Sequence, residues 1–289
     1  MEMKKIAKDA LRRCSRLVGR RNLYRASCFL MHAARGDVAN DPLLNGEVMG
    51  KTVALRTAVP PATIFDVGAN VGEWTRDLLD ISESLQIPSR VYAFEPCGET
   101  FARLSDRAGN WPNVTLINKG CSRRAGTATM HVYGSGFGTN SLAEPIDDLV
   151  AVSEEVQLTT IDLYCKANTI DKIDLLKIDA EGYDFEVIAG ASEMLDRQAV
   201  RILQFEYNHR WIGSRNYLRD VFSFLIPKGY AIGKLAGSHV EFYAYWRWEL
   251  ETYTEGNYIA CSEHDVQQFR RCEPNWLSFR RHCFPGPKP

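Results

Sequence analysis

From residue 63 onward, short apolar runs alternate with segments of helical period, and this rhythm constrains the fold more than any other feature of the chain. The candidate strands are 63–67 (TIFDV), 90–95 (RVYAFE), 113–118 (NVTLIN), 172–179 (KIDLLKID) and 201–207 (RILQFEY). Helical segments at 72–82, 98–108, 183–196 and 214–227 fall between or after several of them. Strands buried on both faces read as unbroken apolar runs, and parallel neighbours need crossovers. The order therefore predicts an α/β fold with a doubly wound, mostly parallel sheet. Residues 122–160 break the rhythm with TATMHVYG, the glycine-rich GSGFGTNS and VQLTTID, which predict an inserted hairpin and loop. GYAIGKL (229–235) and NYIACS (257–262) predict late strands separated by an aromatic insertion, VEFYAYWRWELETY.

The segment before this alternation is different. Residues 1–35 are helix-like, with Ile6, Leu11, Cys14, Leu17 and Val18 near a helical period. Between Lys4 and Arg25 stand nine Lys or Arg and one acid, Asp9. Such charge is either the solvated face of a helix packed on a core or a basic surface for anionic lipid or an acidic substrate carrier. GDVANDPLLNGE then reads as loop, and VPPAT (59–63) marks the entry to regular structure. The expected organisation is an N-terminal helical extension and linker over 1–55, a main domain over 56–262 and a tail over 263–289.

Composition excludes several classes. With 289 residues, 45% apolar and 25% charged, the chain suits a soluble domain with a sizeable core. A net charge of -1 argues against a nucleic-acid partner. No apolar run reaches the length of a membrane span, and the start lacks a secretory cleavage pattern. Eight cysteines without a CxxC pair predict reduced thiols and a cytoplasmic location.

Ligands of doubly wound sheets bind at the carboxyl ends of the strands, and DVGANVG (66–72) follows the first strand. It is not the GxGxxG dinucleotide fingerprint, because Gly68 and Gly72 are separated by Ala69, Asn70 and Val71. The loop offers backbone amides and one carboxylate, Asp66, with no cation before Arg76. A pyrophosphate would favour more positive charge. A zwitterionic amino-acid tail, such as that of S-adenosyl-L-methionine, fits better. The second strand ends at Glu95, placed to accept hydrogen bonds from both hydroxyls of a ribose. Nicotinamide cofactors share that feature, so Glu95 alone leaves a dinucleotide-binding oxidoreductase open. A non-catalytic nucleotide-binding module also stays open.

DVGANVGEWT, AFEP, LINKGCS and LLKIDAEGYDFEVIAGA, in this order and spacing, resemble the FkbM-type S-adenosylmethionine-dependent methyltransferases. The resemblance runs from about residue 63 to 208 and more weakly to about 262, and GSGFGTNSL (134–142) corresponds to the family's Gly/Ser-rich loop. It implies a class I, Rossmann-like methyltransferase core, usually of seven strands with the last antiparallel, and O-methylation as the reaction. The expected cofactor set is Asp66, Gly68, Asn70, Gly72, Glu95, Asn118, Gly120, Cys121 and Asp179, with adenine against Gly120 and Cys121 or beside Asn118 or Ser122.

Methyl transfer needs an aligned acceptor hydroxyl and a group to take its proton. Asp179 and Glu181 after the fourth strand, Glu206 at the end of the fifth and His209 just beyond are the expected catalytic residues. No HxxxH or DxD pattern is present, so no metal is expected. Phe137, Trp211 and the aromatics of 242–248 line a sugar site or, for the aromatic run, form a strand packed on the core. The expected acceptor is a hydroxyl of a sugar or glycan precursor, with a small natural product as the alternative. An oligomer and peripheral membrane contact through the basic helix are left open.

Overall fold

The apolar runs become strands with their ends shifted by about one residue. The structure, a computed structural model, describes residues 18–37, 44–134, 140–145, 151–269 and 271–272. Its chain divides into two units, Met1–Ala39 with Asn275–Pro289, and Asn40–Pro274. The described element of the first is α1 (Arg20–Ala34), none of whose residues is buried.

The second unit opens with α2 (Glu47–Thr57), β1 (Ala62–Val67), α3 (Glu73–Leu85), β2 (Ser89–Phe94), α4 (Gly98–Ala108) and β3 (Val114–Ile117). An inserted group follows, β4 (Gly120–Cys121), β5 (Gly126–Val132) and β6 (Val152–Thr159). Next come α5 (Ile161–Ala167), β7 (Ile173–Ile178), α6 (Asp184–Ala189), α7 (Ser192–Asp196) and β8 (Val200–Tyr207). The chain continues through α8 (Trp211–Ser214), α9 (Leu218–Leu225), β9 (Tyr230–Ala236), β10 (His239–Tyr243), β11 (Gly256–Ser262), α10 (Glu263–Val266) and β12 (Arg271–Cys272).

In the described residues the main sheet has nine strands in the order β12-β10-β9-β11-β8-β7-β1-β2-β3. Five of them, β3-β2-β1-β7-β8, are mutually parallel, and β11 lies antiparallel between β8 and β9. The seven-stranded sheet expected from the sequence is thus present, extended at one edge by β10 and β12. The extension arises because the first residues of the aromatic insertion fold back on β9 as an antiparallel partner. The expected extra hairpin is β5–β6, which forms a separate small sheet with β4.

Side chains alternate across a strand, and the alternation sorts the two faces. Ile64, Val91, Leu175 and Ile202 belong to one cluster with Leu78 of α3. On β1 the next residue, Phe65, meets Tyr92, Phe94 and Tyr164 of α5 in a set of tilted and edge-on ring contacts. The expected domain boundary at residue 55/56 needs correction. It falls inside α2, whose Ala54 and Leu55 are fully buried in the cluster with Ile64 and Leu175. Arg201 of β8 also donates to the Ala54 carbonyl. The helix is part of the core and not a linker.

Leu55→Ala should therefore destabilise the protein by about 2–5 kcal/mol, as for other buried leucines. Leu30→Ala, on the exposed surface of α1, should change stability by less than about 0.5 kcal/mol. Urea unfolding of both variants checks the contrast, and equal effects would return α2 to the extension.

Candidate active site

Register places Asp66 of β1, Lys177 of β7 and Gln204 of β8 side by side in the centre of the sheet. Polar groups buried there need partners. Lys177 Nζ lies 3.0 Å from Asp66 Oδ1, donates to the Gly68 carbonyl at 3.0 Å and stands 3.5 Å from Asp179 Oδ2. Thr75 donates to the other Asp66 oxygen at 2.6 Å. Burial works against the ammonium, but Asp66 and Asp179 outweigh it and raise Lys177 above the ordinary lysine range. The lysine thereby ties the glycine loop to the exits of β1 and β7. Above the row, α2 lays Lys51 over the Trp74 ring at 4.6 Å and sets Glu47 against Asn257 of β11.

Gly68 adopts φ +77°, and a Cβ there would lie 1.8 Å from the Asp179 carbonyl oxygen. A glycine is required because the turns after β1 and β7 nearly touch. Gly72 has another reason. At φ +83°, its Cβ would meet Leu104 at 2.7 Å and Trp111 at 2.9 Å, so it serves the packing of α3 on α4.

A cleft opens at these strand ends. Gly68 and Asn70 line it from the first loop, Glu95 and Pro96 from the second, and Gly120 and Cys121 from β4. Met130 and Leu142 of the insertion close it on one side, and Asp179, Ala180 and Glu181 form another wall. Glu95 accepts from the backbone N–H groups of Asn70 and Cys97, both at 3.0 Å. Burial nonetheless pushes its carboxyl up to about 7, against those two bonds. Asn70 Oδ1 is buried without a hydrogen-bond partner among the described residues. Asn118 donates to the carbonyls of Glu95 and Pro96, bracing the second loop. Burial raises the Cys121 thiol, which makes it a packing group.

Beside the cleft, carboxylate oxygens of Asp179, Glu181 and Glu206 all lie within 4.8 Å of one another. Glu181 (φ +51°) and Gly182 (φ +92°) turn the chain sharply after β7. Ser141 holds that turn by donating to the Glu181 carbonyl at 2.6 Å. Burial, then Asp179, raises Glu181 to about 9, opposed by Arg210 at 3.3 Å. Burial and the neighbouring acids also lift Glu206 well above the carboxylate range, while Asn208 donates to it at 2.8 Å. Fully buried Asp184, pushed up to about 8, accepts from the Gly182 N–H at 3.2 Å and faces the Glu206 N–H at 3.4 Å. It ties the turn after β7 to the end of β8. Such a group can hold a proton at neutral pH and pass it on as a unit.

The structure brings Gly68, Asn70, Glu95, Gly120, Cys121, Asp179 and Glu181 to one cleft, with Glu206 beside Asp179 and Glu181. It does not bring Asp66, Gly72 or Asn118 to the cleft wall; each acts behind it. His209 is exposed and stands outside both the cleft lining and the carboxylate group. Trp211 cannot stack on a sugar, because it is fully buried with Nε1 donating to the Glu206 carbonyl at 3.0 Å. Phe137 lies outside the described residues. In the aromatic run, Tyr243 is buried on β10, Trp246 donates to Glu251 at 3.0 Å, and Tyr245 and Trp248 are exposed. Sequence reasoning missed Asp184, which reads as an ordinary acid at a helix start, and gave Lys177 no role in the site.

Removing the lysine leaves Asp66 buried and unpaired, so Lys177→Met should cost about 3–5 kcal/mol. Adding Asp66→Asn should restore part of that loss. Thermal or urea unfolding of the single and double variants reads the coupling, and additive losses would contradict it.

Residues 66–232 match the family model described as Methyltransferase FkbM domain. The chain is 26% identical over 162 residues to the 2-O-methyltransferase NoeI of Sinorhizobium fredii, covering 52% of this chain and 64% of that protein. It is 25% identical over 155 residues to the hexuronic acid methyltransferase AglP of Haloferax volcanii, covering 53% and 59%. In neither case does the match reach two thirds of the relative's own length. A solved structure of methyltransferase FkbM from Methylobacillus flagellatus aligns with a TM-score of 0.44 at 16% identity, covering 73% of this chain and 47% of that one.

Proposed function

Because the chain belongs to the FkbM methyltransferase domain family, we propose that it is an S-adenosyl-L-methionine-dependent O-methyltransferase acting on a hydroxyl of a sugar or glycan precursor. The observation that carries this reading is the meeting of Gly68, Glu95 and Asp179 in one cleft at the ends of three adjoining strands. The residues present suit the cofactor. A bare glycine turn, an orphaned Asn70 oxygen and a buried Glu95 stand along one wall, and Met130 and Leu142 offer an apolar slot. In this reading Glu95 holds the ribose hydroxyls, Asp179 holds the ammonium, and Gly120, Cys121, Met130 and Leu142 border the adenine. When bound, the cofactor supplies an electrophilic methyl group on a sulfonium.

The chain's own part is to orient the acceptor and take its proton. Asp179, Glu181 and Glu206 crowd one another, so burial and the nearby carboxylates make Glu181 and Glu206 resist losing their protons. A carboxylate of raised pKa is a stronger base than an ordinary one, which suits a sugar hydroxyl. Glu206 is assigned as the base, with Glu181 held in place by Arg210 as its neighbour in the shared titration. The sugar class draws on the names of the relatives, one for a hexuronic acid and one for a 2-O position.

Glu95 gives a prediction with a defined sign. Its carboxyl, raised to about 7 by burial, is largely protonated below that pH and can then accept less well from ribose hydroxyls. S-adenosylmethionine affinity should rise between about pH 6 and 8, with proton release on binding. Glu95→Gln should weaken binding roughly ten- to a hundredfold, the equivalent of about 1.5–3 kcal/mol, and flatten the pH dependence. Calorimetry in buffers of different ionisation enthalpy reads both effects; an unchanged affinity in the variant would refute the ribose role.

Turnover should increase with pH as the carboxylate group loses its shared proton. Glu206→Gln should slow it about 10²–10⁴-fold and move the remaining pH profile downward, because one source of repulsion is gone. His209→Ala should leave the rate near wild type. A normal rate and profile in Glu206→Gln would remove it as the base.

A further inference from the structure

We propose that α1 is an interfacial helix that seats the protein on an anionic lipid surface. Its apolar side chains face solvent: Tyr24 and Phe29 are 71% and 72% exposed, and Leu30 and Met31 are exposed beside them. A monomer's own core does not account for a helix with no buried residue. On the helix, Leu23, Ala26, Leu30 and Ala33 follow at i, i+3, i+7 and i+10 and share one face, with Phe29 at its edge. Arg20, Arg21 and Arg25 stand on the other face, among Tyr24, Cys28 and Met31.

Charge selects the occupant. No acid occurs in the sequence between Asp9 and Asp37, while that interval carries Arg12, Arg13, Arg16, Arg20, Arg21, Arg25 and Arg35. Arg20, Arg21 and Arg25 are exposed. Exposed aromatic and aliphatic side chains would be wasted on a polyanion such as nucleic acid but insert among lipid headgroups, with arginines at phosphate depth. The 15-residue helix is about 22 Å long at 1.5 Å per residue, short of a bilayer's hydrocarbon core. No helix among the described residues is long and apolar enough to cross a membrane. A helix that is exposed, cationic and apolar yet too short to span lies in the interface.

Co-sedimentation of the full chain with vesicles tests this. Wild type should pellet with equimolar phosphatidylglycerol and phosphatidylcholine and stay soluble with phosphatidylcholine alone. Raising salt should weaken the binding by screening. The triple variant Arg20→Glu, Arg21→Glu, Arg25→Glu should lose roughly fivefold in partitioning for each cation removed, a hundredfold or more in all. Phe29→Ser with Leu30→Ser should lose the binding that survives high salt. Both variants should unfold at the wild-type temperature, which separates lost docking from lost folding. Wild type left in the supernatant of anionic vesicles, or variants that pellet as it does, would overturn the proposal. So would sedimentation velocity showing a wild-type dimer and variant monomers with no vesicle binding, which would make a second copy the occupant.

Discussion

A buried ammonium between two carboxylates holds the ligand end of this fold together. Lys177 contacts Asp66 on the neighbouring strand, the carbonyl of Gly68 in the loop after it, and Asp179 at its own strand's exit. Desolvating a lysine is costly, and only close opposite charge with satisfied hydrogen bonds offsets it. The arrangement earns its place geometrically, because it fixes two loops whose backbones approach so closely that Gly68 has no room for a side chain. Position of the glycine loop, and hence of the cleft, follows from that knot.

The opposite imbalance operates a few ångströms away. Asp179, Glu181, Asp184 and Glu206 crowd one corner, and Arg210 beside Glu181 offsets only part of their charge. Burial and mutual repulsion raise three of the four. Folding alone gives no reason to gather acids in this way, whereas proton transfer from a weakly acidic hydroxyl does. Asp184 links the two loops that carry Glu181 and Glu206, so the corner is rigid as well as basic.

The parallel strands were legible because their apolar runs are continuous, and Glu95 was legible because it ends one of them. Contacts set by register were not. Nothing in the spelling of LLKID shows that Lys177 will lie opposite Asp66, since that depends on how β1 and β7 align. The apolar residues of EVMGKTVALRT are spread around the helix, so α2 reads as linker, although Ala54 and Leu55 pack against the sheet. Trp211 and His209 were misjudged for a shared reason. The turn after Glu206 points Trp211 inward, to donate to the Glu206 carbonyl, and leaves His209 in solvent. A residue's place in a loop sequence does not disclose which way it turns.

The central claim is that the cleft beneath Gly68 and Glu95 takes a nucleoside with an amino-acid tail and no pyrophosphate. Native mass spectrometry of the full chain mixed with equal amounts of S-adenosylhomocysteine and NAD tests it most directly. The account predicts a single adduct of S-adenosylhomocysteine, lost in Glu95→Gln. An adduct of NAD, or no adduct with either, would contradict it.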